Sequence, residues 1–427
     1  MAHRWSSTNN DPVTKREVAE KLDADDSLAQ YRDRFIRPSD QVIYLDDNSL
    51  GMLPVATRDR LRDVVEAQWG QELVRGWQHW VDLPTSVGDR VGSLIGAAPG
   101  QVVVCDSISV NLFKLAWAAL DAQPGRRVIV TDAGNFPSDR FVLAGVAERR
   151  NGQLRVVPTD SVNGVAADRI STYLADDVAV VSFSHVDYRS GAIADAQQIT
   201  EQAHAAGALV LWDLSHSAGA VPIDLDAMGA DLAVGCTYKY LNAGPGAPGF
   251  LYVRRDLQGR LQNPIQGWWS TRDMFDMESP YQPASGIGRY LTGTPGVLGL
   301  AAVDEGAAMI AQAGVARLRA KSVQLTEYLI ELSDAWLAPL GFSIASPRDP
   351  GRRGGHVALA HHDAYRIGTA CVQAGVIGDA RPPNLLRLAP AAITTSFVEV
   401  REAMSRIRDT TTSQAHLALP DQRPRVT

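Results

Sequence analysis

The sequence contains few cysteines, no basic run and no long apolar stretch. Its three cysteines, Cys105, Cys236 and Cys371, are too few and too scattered to indicate a disulfide framework or a Cys-x-x-Cys metal site. The net charge of −7 gives no electrostatic footprint for nucleic acid. No segment approaches the roughly 18 to 20 apolar residues of a membrane span, and the N-terminal residues lack the apolar centre of a secretory signal. We therefore expect a cytoplasmic protein that binds neither nucleic acid nor membrane.

Short apolar segments alternate with helical patterns in the first two thirds of the chain. These segments are mostly continuous and rich in β-branched residues, which is typical of strands buried on both faces. They are 102–105, 127–132, 154–158, 178–184, 208–213, 232–236 and 249–253. Helical patterns lie between several of them, so the sequence predicts an α/β domain with a mostly parallel, seven-stranded sheet.

The pattern changes near both ends of the chain. Residues 14–35 predict one or two exposed helices in an N-terminal arm, and residues 301–337 predict one long amphipathic helix. That helix leads into a smaller C-terminal α+β domain, whose last residues, 410–427, form a polar tail that we expect to fray. The predicted limits are 1–55 for the arm, which packs with the small domain, 56–300 for the large domain and 301–427 for the small domain.

Two polar residues follow neighbouring strands, at the sheet edge where open α/β sheets bind ligands. Lys239 follows a buried strand in an aromatic, Gly-rich frame, where a desolvated amine could form a Schiff base, although a lone lysine there more often reaches solvent. Asp213 closes the preceding strand. Together with His216 it suits the carboxylate that pyridoxal 5'-phosphate (PLP) needs at its ring nitrogen, the alternative being a helix cap.

Further residues suit the other parts of such a cofactor. Ile108 and Ser109 open a predicted helix and could bind a phosphate, the alternative being ordinary capping. Phe136 could lie on the face of an aromatic ring, or else pack within its loop. The pair Trp268-Trp269 suits a loop that covers a ligand, a subunit contact or a core position.

Three other features carry less weight. The match of 244–249 to G-x-G-x-x-G precedes a strand and contains two prolines, so we interpret it as a shaped loop. His361-His362-Asp363 has no further ligand at metal spacing, so a solvated turn is the better interpretation and no metal is expected. Cys371 lies in a helical pattern, which favours a core thiol over a nucleophile.

Several segments taken together resemble kynureninase, a fold-type-I PLP enzyme of the aminotransferase superfamily. These segments are WDLSHSAG, CTYKYLNAGPG, NFPSD, YLDDNSLG, GWW and RLAP. The resemblance implies an aspartate aminotransferase-like fold and a homodimer with shared active sites. It also implies PLP-dependent hydrolysis of L-kynurenine, or its 3-hydroxy form, to an anthranilate and L-alanine.

The resemblance also implies roles for single residues. Lys239 matches the Schiff-base lysine, Asp213 the carboxylate at the ring nitrogen, and Arg387 the arginine that binds the substrate α-carboxylate. Positions around the cofactor are matched by Ile108, Ser109, the stacking Phe136, the second acid Asp139, Ser184, His216 and Tyr238, the last also a candidate acid/base. Trp268 and Thr294 match cofactor contacts from the neighbouring subunit, and Asn48 and Ser49 match substrate-binding positions.

The sequence departs from the family at two places near the expected aryl ring of the substrate. Asp47 stands where the family usually has glycine, and Ser270-Thr271 stand where it usually has Gly-His, so a ring-substituted kynurenine stays open. One rival interpretation is another fold-type-I enzyme, either an aminotransferase or a cysteine desulfurase, which needs an exposed loop cysteine. The other is a non-catalytic PLP-binding or scaffold protein.

Overall fold

A computed structural model describes residues 12–39, 41–276 and 278–420. Helices and strands alternate along most of these ranges. The α-helices are α1 (Arg16–Ala24), α2 (Val55–Asp63), α3 (Trp77–Trp80), α4 (Leu83–Leu94), α5 (Ile108–Asp121), α6 (Pro137–Arg149), α7 (Ala167–Ile170), α8 (Ala196–Ala205), α9 (Val297–Ala313), α10 (Val315–Leu332), α11 (Ala364–Gln373) and α12 (Phe397–Thr412). Short 3-10 and π turns extend several of them.

The strands form one large sheet and two small ones. They are β1 (Ile43–Tyr44), β2 (Val102–Val104), β3 (Val128–Asp132), β4 (Gln153–Val157), β5 (Val178–Ser184), β6 (Leu209–Asp213), β7 (Leu232–Gly235), β8 (Phe250–Val253), β9 (Ser343–Ile344), β10 (Val357–Ala360), β11 (Val376–Ile377), β12 (Asp379–Arg381) and β13 (Leu385–Leu388).

The large sheet has seven strands in the order β2-β8-β7-β6-β5-β3-β4. Six strands of this sheet run in one direction and β8 runs in the opposite direction, which confirms the predicted, mostly parallel α/β fold. Each strand lies within a residue or two of its predicted segment. The carboxyl ends of β3, β5, β6 and β7 therefore meet at one edge.

Both faces of this sheet are buried, and alternate residues of a strand enter different cores. Val102 and Val104 of β2 pack in one core with α4, α8 and α9, whereas Val103 packs in the other with α5 and α6. This alternation explains why the strand segments are continuously apolar, since neither face meets water.

A third core lies under the C-terminal sheet, β12-β13-β10-β9. Helices α10, α11 and α12 cover it. The N-terminal segment joins it, because β1 pairs in parallel with β11 and Ala19 of α1 is buried there. The segment is less exposed than predicted, since Leu28, Tyr31 and Phe35 pack into the core of the large sheet. The predicted domain limits at 55 and 300 remain predictions.

Two expectations for the C-terminal third require correction. The single helix expected over 301–337 is broken at Gly314, whose positive φ of 83° turns the chain between α9 and α10. The tail expected at 410–427 begins later, because Thr410–Thr412 are the end of α12 and Ala415–Ala418 form a 3-10 helix; residues 421–427 lie outside the described ranges. Among the described residues, no helix has both the length and the apolar character to cross a bilayer.

Candidate active site

A cavity of about 530 Å³ opens at the carboxyl edge of the large sheet. We call it the Lys239 cavity. Most residues predicted for the site line it: Ile108, Ser109, Phe136, Asp139, Ser184, Asp213, His216, Tyr238, Lys239 and Thr294. The parallel strands explain this convergence, because consecutive strands deliver their following residues to the same edge.

Lys239 lies in a tight loop after β7, with its amine directed at other polar groups. Its Nζ is 3.2 Å from Nε2 of His216 and 6.0 Å from the ring centroid of Phe136. The loop is braced by a hydrogen bond from Asn242 N to the Lys239 carbonyl at 2.9 Å and by one from Gly51 N to the Tyr238 carbonyl at 2.8 Å. These hydrogen bonds hold the backbone around Lys239, and the contact with His216 holds its amine.

Asp213 ends β6 and is buried. Its Oδ1 accepts hydrogen bonds from Ser215 N at 2.8 Å and from Ser215 Oγ at 2.6 Å, while Oδ2 lies 3.5 Å from Ser184 Oγ. One oxygen thus caps the turn after the strand, which was the alternative interpretation, and the other belongs to the cavity wall.

Asp139, in the first turn of α6, is a second buried carboxyl group in this wall. Neither of its oxygens has a hydrogen-bond partner among the described residues. Burial, and then the neighbouring charge of Asp213, raise the pKa of Asp139 well above its ordinary value. The Asp139 and Asp213 side chains interact with each other, and a bound group that carries a proton donor, such as a protonated ring nitrogen, would relieve the repulsion between the two carboxyl groups.

Two histidines lie next to each other near Lys239, with their rings tilted by 57°. Burial, followed by the charge of Lys239, lowers the pKa of His216 well below its ordinary value, so this ring is neutral. His356 lies with its ring centroid 5.8 Å from that of His216, and neither of its ring nitrogens has a hydrogen-bond partner among the described residues. The sequence analysis missed His356, because it precedes a strand of the other sheet and no local pattern links it to Lys239.

Two helix N-termini border one end of the cavity. α5 begins at Ile108 and α9 at Val297, and residues 107–109 and 292–296 line the wall. The N-terminus of an α-helix carries a partial positive charge and free N–H groups, which suits a phosphate. The first helix was predicted. The second was predicted to begin at 301, so its N-terminus at the cavity was missed, although Pro295-Gly296 before a helical run was an available signal.

A buried lysine braces this end of the cavity. Lys114 of α5 is fully buried and donates to Asp106 Oδ2 and to the Tyr290 carbonyl, both at 2.7 Å. Asp106 also accepts from Thr292 Oγ1 at 3.3 Å. These bonds tie the loop before α5 to the segment before α9, and thereby hold the two helix N-termini together.

The remaining predicted residues do not line the Lys239 cavity. Arg387, Asn48 and Ser49 form a separate cluster, and Asp379 is its fourth member; all but the partly exposed Ser49 are buried. We call these four residues the arginine cluster. This cluster adjoins the cavity, because Arg387 Nη1 donates to the carbonyl of Tyr188, and Tyr188 lines the cavity wall.

The two tryptophans behave differently from each other. Trp269 is buried, with its ring 5.2 Å from that of Trp77, whereas Trp268 is partly exposed at 39% and lies outside the cavity wall. Thr294, expected from a neighbouring subunit, lines the cavity of its own chain.

The features given less weight also have defined places. The loop 244–249 leads into β8, and no helix follows it, as expected for a shaped loop. His361 was expected in a solvated turn, but it is buried, and its Nδ1 accepts from Asp363 N at 3.0 Å. Cys371 is buried in α11, and Cys105 and Cys236 are buried as well.

The residues present fit PLP. Lys239 provides an amine for its aldehyde, and Asp213 and Asp139 provide carboxyl groups for its ring nitrogen. Phe136 provides an aromatic face for the ring, and two helix N-termini suit the phosphate. All of these groups border one cavity. Each of these groups answers a different part of the cofactor, which is a more specific match than any one residue provides.

Comparison with known proteins gives consistent relatives. Residues 318–407 match the model of the kynureninase C-terminal domain. A kynureninase of Pseudomonas fluorescens is 43% identical over 92% of this chain and 94% of its own length. One from Burkholderia pseudomallei (strain 1106a) is 41% identical over 94% of this chain and 96% of its own.

Solved structures of other enzymes share the fold. A mutant of C-DES, with glycine covalently linked to its PLP cofactor, superposes with a TM-score of 0.80 at 18% identity, covering 88% of this chain and 99% of that one. The cysteine desulfurase CsdA of Escherichia coli gives a TM-score of 0.78 at 18% identity, with 91% and 99% covered. At this identity the likeness establishes the fold alone.

Proposed function

The chain belongs to the kynureninase family, and we propose that it hydrolyses L-kynurenine, or a ring-substituted form such as 3-hydroxykynurenine, to the corresponding anthranilate and L-alanine. One observation carries this proposal: Lys239, Asp213 and Asp139 border a single cavity that two helix N-termini also face. In the overall reaction, the Cβ–Cγ bond breaks, the oxygen of water joins Cγ, and Cβ takes up a proton.

The proposed roles follow from position and protonation. When bound, PLP supplies an electron sink for the charge that develops on the amino-acid part of the substrate. Lys239 Nζ takes the proton from Cα of the substrate, and the neutral His216, 3.2 Å away, holds the amine in position by a hydrogen bond. Asp213, which two bonds from Ser215 hold in place, would keep the ring nitrogen protonated through Oδ2.

Two further residues act on the substrate side. Burial raises the pKa of Tyr238, so its hydroxyl is protonated at neutral pH and can donate a proton at the γ-carbonyl oxygen as water adds. Arg387 binds the α-carboxylate and thereby orients the scissile bond. Asn48 and Ser49, beside Arg387, are proposed to contact the same end of the substrate.

The central experiment is an activity measurement with the purified protein, PLP and L-kynurenine. We expect anthranilate to appear by its fluorescence, together with an equal amount of L-alanine. Lys239→Ala should abolish both the turnover and the yellow absorbance of the bound cofactor, because Lys239 is the one lysine among the described residues that line the cavity. The exposed Lys15→Ala is the matched control and should leave both unchanged.

Other outcomes would favour the rival functions. Accumulation of an aminated cofactor with an amino donor would indicate an aminotransferase. Formation of L-alanine from L-cysteine, with sulfide released once a thiol reductant is added, would indicate a desulfurase, although the burial of all three cysteines opposes it. A stoichiometric PLP complex without turnover of any aryl-keto amino acid would indicate a non-catalytic protein.

Ring preference is a separate measurement. Asp47 is fully buried, and Ser270 bonds to the Gly267 carbonyl at 2.9 Å and to the Tyr281 hydroxyl at 3.1 Å. The ratio of kcat/KM for L-kynurenine and 3-hydroxy-L-kynurenine, in the parent and in Ser270→Gly, determines whether this departure from the family changes the preference.

We also propose a cytoplasmic homodimer with shared sites. The partly exposed Trp268 and the exposed apolar residues Trp69, Leu73 and Val74 support a contact between copies. Lys239→Ala and Trp268→Ala should each be inactive alone, and mixed dimers should regain activity because one of their two sites has both native residues. A monomer in light scattering, or no regain on mixing, would contradict the shared site.

A further inference from the structure

The arginine cluster contains the carboxylate of Asp379, the same chemical group by which the substrate is expected to bind Arg387. β12 pairs antiparallel with β13, and this register sets Asp379 directly opposite Arg387. Arg387 Nε donates to Asp379 Oδ1 at 2.6 Å, and Nη2 donates to Asp379 Oδ2. Both side chains are almost completely buried. The arginine expected to bind a substrate carboxylate is therefore already in a bidentate pair.

A guanidinium group has two edges that can each bind a carboxylate, Nε–Nη2 and Nη1–Nη2. Asp379 occupies the Nε–Nη2 edge. The other edge contacts only neutral groups: Nη1 donates to the Tyr188 carbonyl, and Nη2 lies 3.4 Å from Ser49 Oγ. This terminal edge is the one next to Tyr188, which lines the Lys239 cavity.

The charged groups around Arg387 leave a net positive charge. Asp379 Oδ2 also lies 2.7 Å from Arg381 Nη2, so one carboxylate serves two arginines. Although burial opposes it, pairing with Arg387 and Arg381 lowers the pKa of Asp379, so it is ionised at neutral pH. The buried Asp46 also lies near both arginines, but burial raises its pKa to about 7, so it compensates the second cation only in part at neutral pH. The remaining positive charge suits a ligand that brings a single carboxylate.

Two neutral side chains flank the terminal edge. Ser49 Oγ donates to Asp379 Oδ2 at 3.0 Å, and Asn48, with its amide oxygen turned toward Arg387, lies 3.3 Å from the guanidinium nitrogens. Both are held in place by the cluster, and neither adds charge.

We propose that Asp379 is a positioning residue that holds Arg387 by its Nε–Nη2 edge, so that the terminal Nη1–Nη2 edge receives the α-carboxylate of a monocarboxylic amino acid. The carboxylate replaces the Tyr188 carbonyl on Nη1. The inference rests on the proposed function, because it assigns substrate binding to Arg387. Without Asp379, the guanidinium would keep its charge but lose its fixed orientation. Binding of the substrate carboxylate would then be weaker, whereas the rate of the chemical step would be unchanged.

The test compares ligands with and without a carboxylate. For Asp379→Asn with bound PLP, we expect KM for L-kynurenine to rise at least 10-fold while kcat changes less than 3-fold. The dissociation constant of L-alanine, from the change in cofactor absorbance, should rise as much, and that of L-alaninamide should change little. Asp334→Asn, which removes the carboxylate of an exposed pair with Arg348, is the matched control and should change none of these.

A second variant covers a failure of Asp379→Asn to fold. Arg381 is partly exposed at 30%, so Arg381→Gln should fold, and it removes the net positive charge. We expect weaker binding of L-alanine by about 3-fold or more, with L-alaninamide unaffected. Equal changes for both ligands, or a lower kcat with unchanged KM, would overturn the proposal. If the parent binds L-alanine but does not cleave L-kynurenine, the proposed function fails while the role of Asp379 is still measured.

Discussion

Asp213 serves two purposes, because one of its oxygens bonds to the turn after β6 and the other borders the cavity. The bonds from Ser215 N and Oγ would survive replacement by an amide, whose oxygen also accepts hydrogen bonds. Structure and charge can therefore be separated at this residue by an isosteric substitution.

Asp213→Asn should reduce kcat by at least about 100-fold, because a neutral amide does not hold a proton on a ring nitrogen. Its thermal stability should be close to that of the parent. Asp195→Asn is a matched control: Asp195 caps α8 by accepting from Gln198 N at 3.0 Å, so only a small loss of stability is expected there, with full activity. Similar kcat values in parent and Asp213→Asn would remove the electrostatic role.

At the scale of elements, α9 supports the Lys239 loop from behind. Gly306, in the middle of α9, lies so close to this loop that a Cβ atom would be 2.0 Å from the Leu241 carbonyl oxygen. The close approach explains a glycine in a helix interior, where it otherwise costs about 1 kcal/mol relative to alanine.

Gly306→Ala should therefore destabilise the protein and weaken PLP binding, although alanine has a higher helix propensity than glycine. In Gly145→Ala of α6, the added Cβ would meet only the flexible side chain of Arg149 at 3.2 Å, so this control should be neutral or stabilising. Unfolding in urea and titration with PLP measure both effects. Equal stability changes in the two variants would show that the α9 contact is not tight.

The elements also show where prediction from the sequence succeeds. The strands of the large sheet could be predicted because both faces are buried, which leaves continuous apolar runs. The break at Gly314 was missed, because a glycine inside a helical pattern can either be tolerated or end the helix, and only its positive φ shows which. The pairing of Asp379 with Arg387 was also missed, because β12 has three residues, too few for a period, and its register depends on β13.

At the scale of the whole molecule, burial of titratable groups links stability to pH. Burial raises the pKa of Asp46 to about 7 and that of Asp132 to about 6, and raises those of Asp47 and Asp139 well above the ordinary range. Such carboxyl groups bind more protons in the folded than in the unfolded chain. Their contribution to stability is therefore lost as pH rises through the folded-state pKa.

Buried histidines act in the opposite direction. Burial lowers the pKa of His185 to about 4 and that of His356 to about 3, and lowers that of His216. They bind fewer protons when folded, so their contribution rises with pH and is complete above the unfolded-state value of about 6.5. Above that pH the histidine contribution no longer changes, while the carboxyl groups still lose theirs, so we expect the free energy of unfolding of the PLP-free protein to fall between pH 6.5 and 8.

Asp47→Asn isolates one of these groups. Asp47 is fully buried, and asparagine has nearly the same shape but no charge at any pH. The variant should lose less stability than the parent between pH 6.5 and 8, and should be the more stable protein at pH 8. Urea unfolding at both pH values measures this difference. Asp256→Asn is the control, because Arg254 lowers the pKa of this largely exposed group and it does not titrate in that range. An unchanged slope in Asp47→Asn would mean that Asp47 is ionised in the folded protein throughout, with a partner for its charge.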